Sequence, residues 1–184
     1  MARRLERNNK TNTMIDTPKN RNDLAKLFKG VGAEIGVERA VFAKEIMKSA
    51  KELYLVDPWK SYKGYRDHVS QDKLDGFFKE AQERMQHKNC TFIRKFSMDA
   101  VKDFPDESLD FVYIDANHDY ENCKNDIREW SKKVKKGGII AGHDYIERKG
   151  QGLYYGVKKA VNELEEELTI WRGDKSPSWS YIKK

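Results

Sequence analysis

The chain has 184 residues, 38% hydrophobic and 36% charged, with nine Tyr, eight Phe and four Trp. That length suits one domain able to bury a real core, and the aromatic content marks a polar but globular protein. The formal charge of +6 would suit an anionic partner, yet the cations are interleaved with 30 acids and no RNA-recognition motif or zinc-finger spacing accompanies them, so nucleic acid is the minor expectation.

No apolar run reaches membrane-spanning length, and Met1 to Asn12 holds no hydrophobic segment fit for a secretory signal. Cys90 and Cys123 read as small core residues rather than a disulfide, which fits a reducing, cytoplasmic setting. No internal repeat or low-complexity tract is present.

Residues 1–20 are polar, basic and aperiodic, so they are expected to form a mobile tail, with one domain over 21–184. Asp23 is placed to cap a short helix through Leu24, Leu27 and Phe28 that ends at Gly30. Ala33 to Val37 reads as a strand turning at Gly36 into a helix with Val41, Phe42, Ile46 and Ala50 on one face. Leu53 to Val56 is a second buried strand, and it ends on Asp57.

Strand, glycine turn, helix and a strand-terminal acid about 20 residues on is the arrangement that nucleoside-binding folds use. The glycine lets backbone approach a ligand, and the acid can accept hydrogen bonds from ribose hydroxyls. Gly30 and Gly32 precede the first strand and only Gly36 follows it, so the dinucleotide fingerprint is poorly matched.

Trp59, Tyr62, Tyr65 and His68 follow in a loop that either covers a ligand or is pinned to the body by its aromatics. A helix is expected near Lys73 to Gln86, a strand over Thr91 to Phe96, and a turn at Pro105 to Ser108. Phe111 to Ile114 is a short apolar run ending on Asp115. Tyr120, Cys123, Ile127, Trp130 and Val134 then recur at helical spacing, with Gly137 and Gly138 placed to stop the helix. A further apolar run, Ile139 to Ala141, leads to Gly142, His143 and Asp144.

Such a strand–helix–strand crossover joins neighbouring parallel strands, so Asp115 and the His143-Asp144 pair should converge at one sheet edge. Asp115 alone could be a helix cap; two adjacent strand ends that both finish in acids point to a site. Beyond them, Glu147 to Gly152 reads as a lid, Val157, Val161, Leu164 and Leu168 as a helical stripe, and Thr169–Trp171 with Trp179–Ile182 as a final antiparallel pair.

The segments AEIGVERAVFA, LYLVDPW, SMDAVKDFPDESLDFVYIDANHDYENCKNDIREW, KKGGIIAGHDY and GVKKAVNEL, in this order, resemble a class I S-adenosylmethionine-dependent methyltransferase. The resemblance is to the small subgroup that includes bacterial sugar and natural-product O-methyltransferases. It implies an α/β, Rossmann-like doubly wound sheet, mostly parallel with an antiparallel final strand and helices on both faces. It also implies roles for particular residues. Glu34 and Gly36 would border the amino-acid end of the cofactor, Asp57 would hold the ribose, and Met98 and Asp99 would meet the adenine edge, with Asp115 also in reach of the cofactor. A glycine is usual where Ala40 stands.

In metal-dependent relatives a divalent ion, here Mg²⁺ or Mn²⁺, is held at the positions that fall on Asp115, His143 and Asp144. A histidine at 143 departs from the usual acid and favours the softer ion, or else serves as general base, with His118 a second candidate base. The acceptor implied is a small hydroxylated molecule. Two alternatives stand beside it: an RNA or protein methyltransferase, which lacks an Asn/Asp-Pro-Pro-Tyr motif here, and a non-catalytic nucleoside-binding module. No dimer surface is legible in the pattern, and a homo-oligomer stays open.

Overall fold

The computed structural model describes residues 14–62, 69–147 and 156–184. In chain order its elements are β1 (Met14–Thr17), α1 (Arg21–Ala25), β2 (Val31–Ile35), α2 (Val41–Ile46), β3 (Glu52–Val56), α3 (Gln71–Met85), β4 (Cys90–Ile93), α4 (Ser97–Ala100), β5 (Leu109–Ile114), α5 (Tyr120–Lys133), β6 (Val134–Gly142), α6 (Val157–Asn162), β7 (Leu168–Trp171) and β8 (Ser178–Ile182). The strands form one sheet in the order β1-β7-β8-β6-β5-β2-β3-β4. All neighbours are parallel except β8, which runs antiparallel to both β6 and β7. This is the doubly wound sheet expected, with the predicted antiparallel ending.

Period-two side chains build two cores, one on each face. On β5, Phe111 and Tyr113 face one side and Val112 and Ile114 the other. The first side is covered by α1, α2 and α3 through Leu24, Phe42, Ile46 and Phe77. The second is covered by α4, α5 and α6 through Ala100, Cys123, Ile127, Trp130, Val157 and Val161. The larger of these, such as Leu24, Phe42, Ile46 and Ile127, each contribute about 1.5–3 kcal/mol by leaving water. At Gly32 the packing leaves no room for a side chain: a Cβ would lie 2.3 Å from the Phe111 ring that stacks on Phe28.

Several local expectations change; α1 ends at Ala25, short of Gly30, and Leu168, expected on the last helical stripe, opens β7. Met14–Thr17, expected within the tail, pairs with β7 as a parallel edge strand; its side chains are mostly exposed, so backbone pairing rather than an apolar pattern holds it. Residues 1–13 lie outside the described residues. The cap of α1 is Asn20, whose side chain accepts from Asn22 and Asp23 backbone N–H groups, while Asp23 returns the bond to Asn20 N–H. β4 ends at Ile93, and residues 97–100 turn into α4.

Helix α5 stops before the glycines. Val134 is extended and buried, pairing with Leu109. Lys135 to Gly138 then bulge opposite Asp110 before Ile139 pairs with Phe111. Gly137 supplies a left-handed φ of 78°, and a Cβ on Gly138 would sit 2.6 Å from the Asp110 carbonyl oxygen. The glycines therefore shape a bulge, not a helix end.

Candidate active site

The parallel strands β3, β2, β5 and β6 all end on one edge, which is where the chemistry gathers. The turn after β2 is fixed by backbone pairing: Gly36 N–H donates to Val56 O at 2.8 Å, and Asp115 N–H donates to Ile35 O at 2.7 Å. Gly36 has φ 87°, and a Cβ there would lie 2.2 Å from the Asp115 carbonyl oxygen. Only glycine satisfies both conditions. The turn continues through Glu38 and Ala40, both left-handed, so the residue standing where a glycine is usual adopts φ 55°.

Asp57 ties this turn down. Its Oδ2 accepts from Val37 and Glu38 N–H groups at 3.0 Å each, and its Oδ1 accepts from Trp59 N–H at 2.8 Å. Burial pushes the Asp57 carboxyl up, and the three amides oppose that rise. A carboxylate offers about four acceptor sites, so roughly one remains for a ligand. Trp59 is buried, donates its indole N–H to Glu38 O at 2.7 Å and packs on Phe78 and Phe92, so it pins the loop. Tyr62 instead meets Phe96 edge-on at 5.1 Å, and both border the cleft. Tyr65, His68 and most of the expected lid fall outside the described residues.

The cleft at this edge has a volume of about 580 Å³. Glu34, Gly36, Asp57, Met98 and Asp115 all line it, and so does His118. Glu34 is 2% exposed and its Oε2 has no hydrogen-bond partner among the described residues. Burial first, and the Asp115 charge second, push its carboxyl well above the usual range.

Asp99 does not join them. Its side chain is 62% exposed and pairs with Lys102 Nζ at 2.9 Å, which holds its carboxyl low. The acid that faces the cleft beside Ser97 and Met98 is Asp126, from α5. Asp126 is 3% exposed, accepts from the Ser97 hydroxyl, and Ser97 in turn accepts from Trp130 Nε1 at 2.8 Å. Burial raises its carboxyl to about 6 against the Ser97 hydrogen bond. The stripe Cys123, Ile127, Trp130 carried the signal: Asp126 is the acid on its buried face.

At the far end, Asp115, His118, His143 and Asp144 form one cluster. His143 N–H donates to Ile114 O at 3.1 Å and so extends the β5–β6 ladder. His118 Nε2 lies 3.0 Å from Asp144 Oδ2 and 3.4 Å from Asp115 Oδ1. His143 Nδ1 lies 3.5 Å from Asp144 Oδ1 and 3.8 Å from Asp115 Oδ2. The Ser176 hydroxyl also donates to Asp144. Burial works to lower His118, but its bonds to Asp115 and Asp144 win and raise it to about 10. His143 is raised for the same reasons, against burial, and the two imidazoles and Ser176 hold Asp144 far below the usual carboxylate range despite burial.

The expected metal set was Asp115, His143 and Asp144. Asp115, His118 and Asp144 are the three whose ligand atoms all fall within 4.8 Å of one another. Asp115 and His118 stand on the cleft wall, with His143 and Asp144 behind them.

Comparison with known proteins adds a family. A family model described as a methyltransferase domain matches residues 30–145, more than half of the chain. An uncharacterized protein, y4gI of Sinorhizobium fredii, is 26% identical over 102 residues, 52% of this chain but 10% of that protein. The chain thus spans about a tenth of that relative's length.

Among solved structures, an rRNA methylase from Streptococcus thermophilus superposes with a TM-score of 0.60 at 12% identity, covering 89% of this chain and 93% of that one. The N-methyltransferase NodS from Bradyrhizobium japonicum gives 0.59 at 12% identity, over 89% and 92%. A DhpI–SAH complex gives 0.57 at 11% identity, over 89% and 85%. At these identities the structures show a shared fold. Among the described residues no helix is long and apolar enough to cross a membrane. With the family model seated on the strands that build the cleft, the chain belongs to the methyltransferase-domain family and is a methyltransferase domain of the S-adenosylmethionine-dependent kind.

Proposed function

We propose that this domain methylates a hydroxyl of a small acceptor, sugar-like or natural-product-like, with Asp115 and His118 at the reacting oxygen. The observation that carries this reading is the pairing of two acids with two imidazoles at one end of a cleft whose other end suits a nucleoside.

The residues present fit S-adenosylmethionine. Glu34 offers a buried, unpartnered carboxylate oxygen to an ammonium group. The one free acceptor site on Asp57 suits a ribose hydroxyl, and Tyr62, Phe96 and Met98 give a purine an apolar surround. Asp126 replaces Asp99 as the acid for the adenine edge. The cofactor supplies an electrophilic methyl on sulfur for in-line displacement.

The chain's own groups prepare the acceptor. His118, held as an imidazolium by Asp115 and Asp144, places positive charge where a hydroxyl oxygen becomes anionic. Asp115 is the carboxylate on the cleft wall that takes the hydroxyl proton. His143 and Asp144 act through them as positioning residues. If a divalent cation displaced the His118 proton, Asp115, His118 and Asp144 would form its donor set instead, and the nitrogen suits Mn²⁺ better than Mg²⁺. Such an ion would polarise the acceptor oxygen.

A nucleic-acid substrate is less favoured, because many surface lysines are tied to acids, as Lys95 to Asp103, Lys124 to Glu163 and Lys133 to Asp106. The test is S-adenosylhomocysteine release against a panel of hydroxylated acceptors and an RNA oligonucleotide, with and without Mn²⁺. Turnover of a hydroxylated acceptor that Asp115→Ala abolishes is expected. Methylation of RNA alone would overturn the reading.

A further inference from the structure

Arg21 belongs to no motif and lies outside the residues matched by the family model, yet it lines the cleft. Its backbone N–H donates to Asp174 Oδ2 at 2.7 Å, which anchors the start of α1. Its guanidinium lies 5.0 Å from the centroid of the Phe42 ring. Among the described residues its guanidinium makes no hydrogen bond and no ion pair. A guanidinium with five N–H donors thus stands on the cleft wall without an acceptor among the described residues.

Glu34 is the mirror case: a buried carboxylate oxygen in the same cleft without a donor. The two groups do not pair with each other. An unpaired buried polar group is costly, so the Glu34 oxygen is explained best by a ligand that brings a donor, and the half-buried Arg21 guanidinium on the same cleft wall offers the opposite charge to that ligand.

We propose that Arg21 and Glu34 together receive an α-amino acid group, Arg21 taking the carboxylate and Glu34 the ammonium. This rests on the cofactor reading above, and the group is the methionine end of S-adenosylmethionine. An arginine fork suits a carboxylate because two parallel N–H groups match its two oxygens. Phe42 holds the guanidinium plane from below, so little conformational freedom is lost on binding.

The test is calorimetric binding of three ligands: S-adenosylhomocysteine, its decarboxylated amine analogue, and 5′-methylthioadenosine, which lacks the whole amino-acid end. Arg21→Ala should weaken S-adenosylhomocysteine at least tenfold and leave the other two within twofold. Arg21→Lys should recover part of the loss. Glu34→Gln should weaken both amine-bearing ligands and spare methylthioadenosine.

Unchanged S-adenosylhomocysteine affinity in Arg21→Ala would overturn the proposal while leaving the cofactor reading intact. Failure of wild type to bind any of the three would sink both. A carboxylate can also arrive on an acceptor, so dihydroxybenzoate is titrated into the wild type saturated with S-adenosylhomocysteine. Binding there that vanishes in Arg21→Ala, with cofactor affinity unchanged, would reassign Arg21 to the acceptor and overturn the proposal.

Discussion

At one end of the cleft Asp57 and Asp126 are held by backbone amides and a hydroxyl; at the other, Asp115 and Asp144 face His118 and His143. The first pair are neutral-donor environments in which burial wins and the carboxyls rise. In the second, cationic partners outweigh burial and hold Asp144 ionised. A nucleoside needs fixed acceptors and little charge, which amide-held acids supply. A hydroxyl that must lose a proton needs charge that can move, which imidazole–carboxylate pairs supply.

The contrast can be broken from either side. The largest effect is expected for Gly36→Ala, because its Cβ meets the backbone of Asp115 and Ala116, just beyond β5, rather than a movable side chain. Together with the positive φ this should cost about 3 kcal/mol or more and abolish S-adenosylhomocysteine binding, as read by thermal shift. His118→Ala should separate the ends. Turnover should fall by about 10²–10⁴, while S-adenosylhomocysteine affinity stays within a few fold. Equal losses in both would show that the two ends are not independent.

Asp126→Asn sharpens the nucleoside end through pH. The folded carboxyl stands at about 6 against 3.8 for the unfolded chain. The folded state therefore holds an extra proton between these values, and stability falls as pH rises from about 4 through 6. A shift of this size corresponds to on the order of 2–3 kcal/mol, fully felt above pH 6. Asparagine keeps an acceptor for the Ser97 hydroxyl, so the variant should lose this slope in urea denaturation midpoints between pH 4 and 7. A slope as steep as that of wild type would assign it to other groups.

The smallest effect is expected for Ala40→Gly. It relaxes a left-handed residue and should raise stability by about 0.5–1 kcal/mol without changing ligand affinity. A loss of stability would mean that the Ala40 methyl packs well enough to outweigh the strain.

The β5–α5–β6 unit was legible because its side chains follow two clean periods, and those periods alone place Asp115 beside His143 and Asp144. The exchange of Asp99 for Asp126 was not, since a four-residue helix has no period to say which way an acid points. Asp126 was visible in principle as a charge within an apolar stripe. β1 could not be read at all: three of its four side chains are exposed, and its existence depends on a partner more than 150 residues away. His118 lies in the loop between strand and helix, where spacing gives no direction, so its place between Asp115 and Asp144 emerges only in the folded chain.

That partner of β1 has a consequence for synthesis. Strands β2 to β5 pair among themselves and can assemble once Ile114 has been made, whereas Met14–Thr17 waits for Leu168–Trp171. During translation the earliest strand among the described residues is therefore among the last to find its place. A chain stalled before Trp171 leaves Met14–Thr17 unpaired, a free strand exposed to chaperones and to other nascent chains.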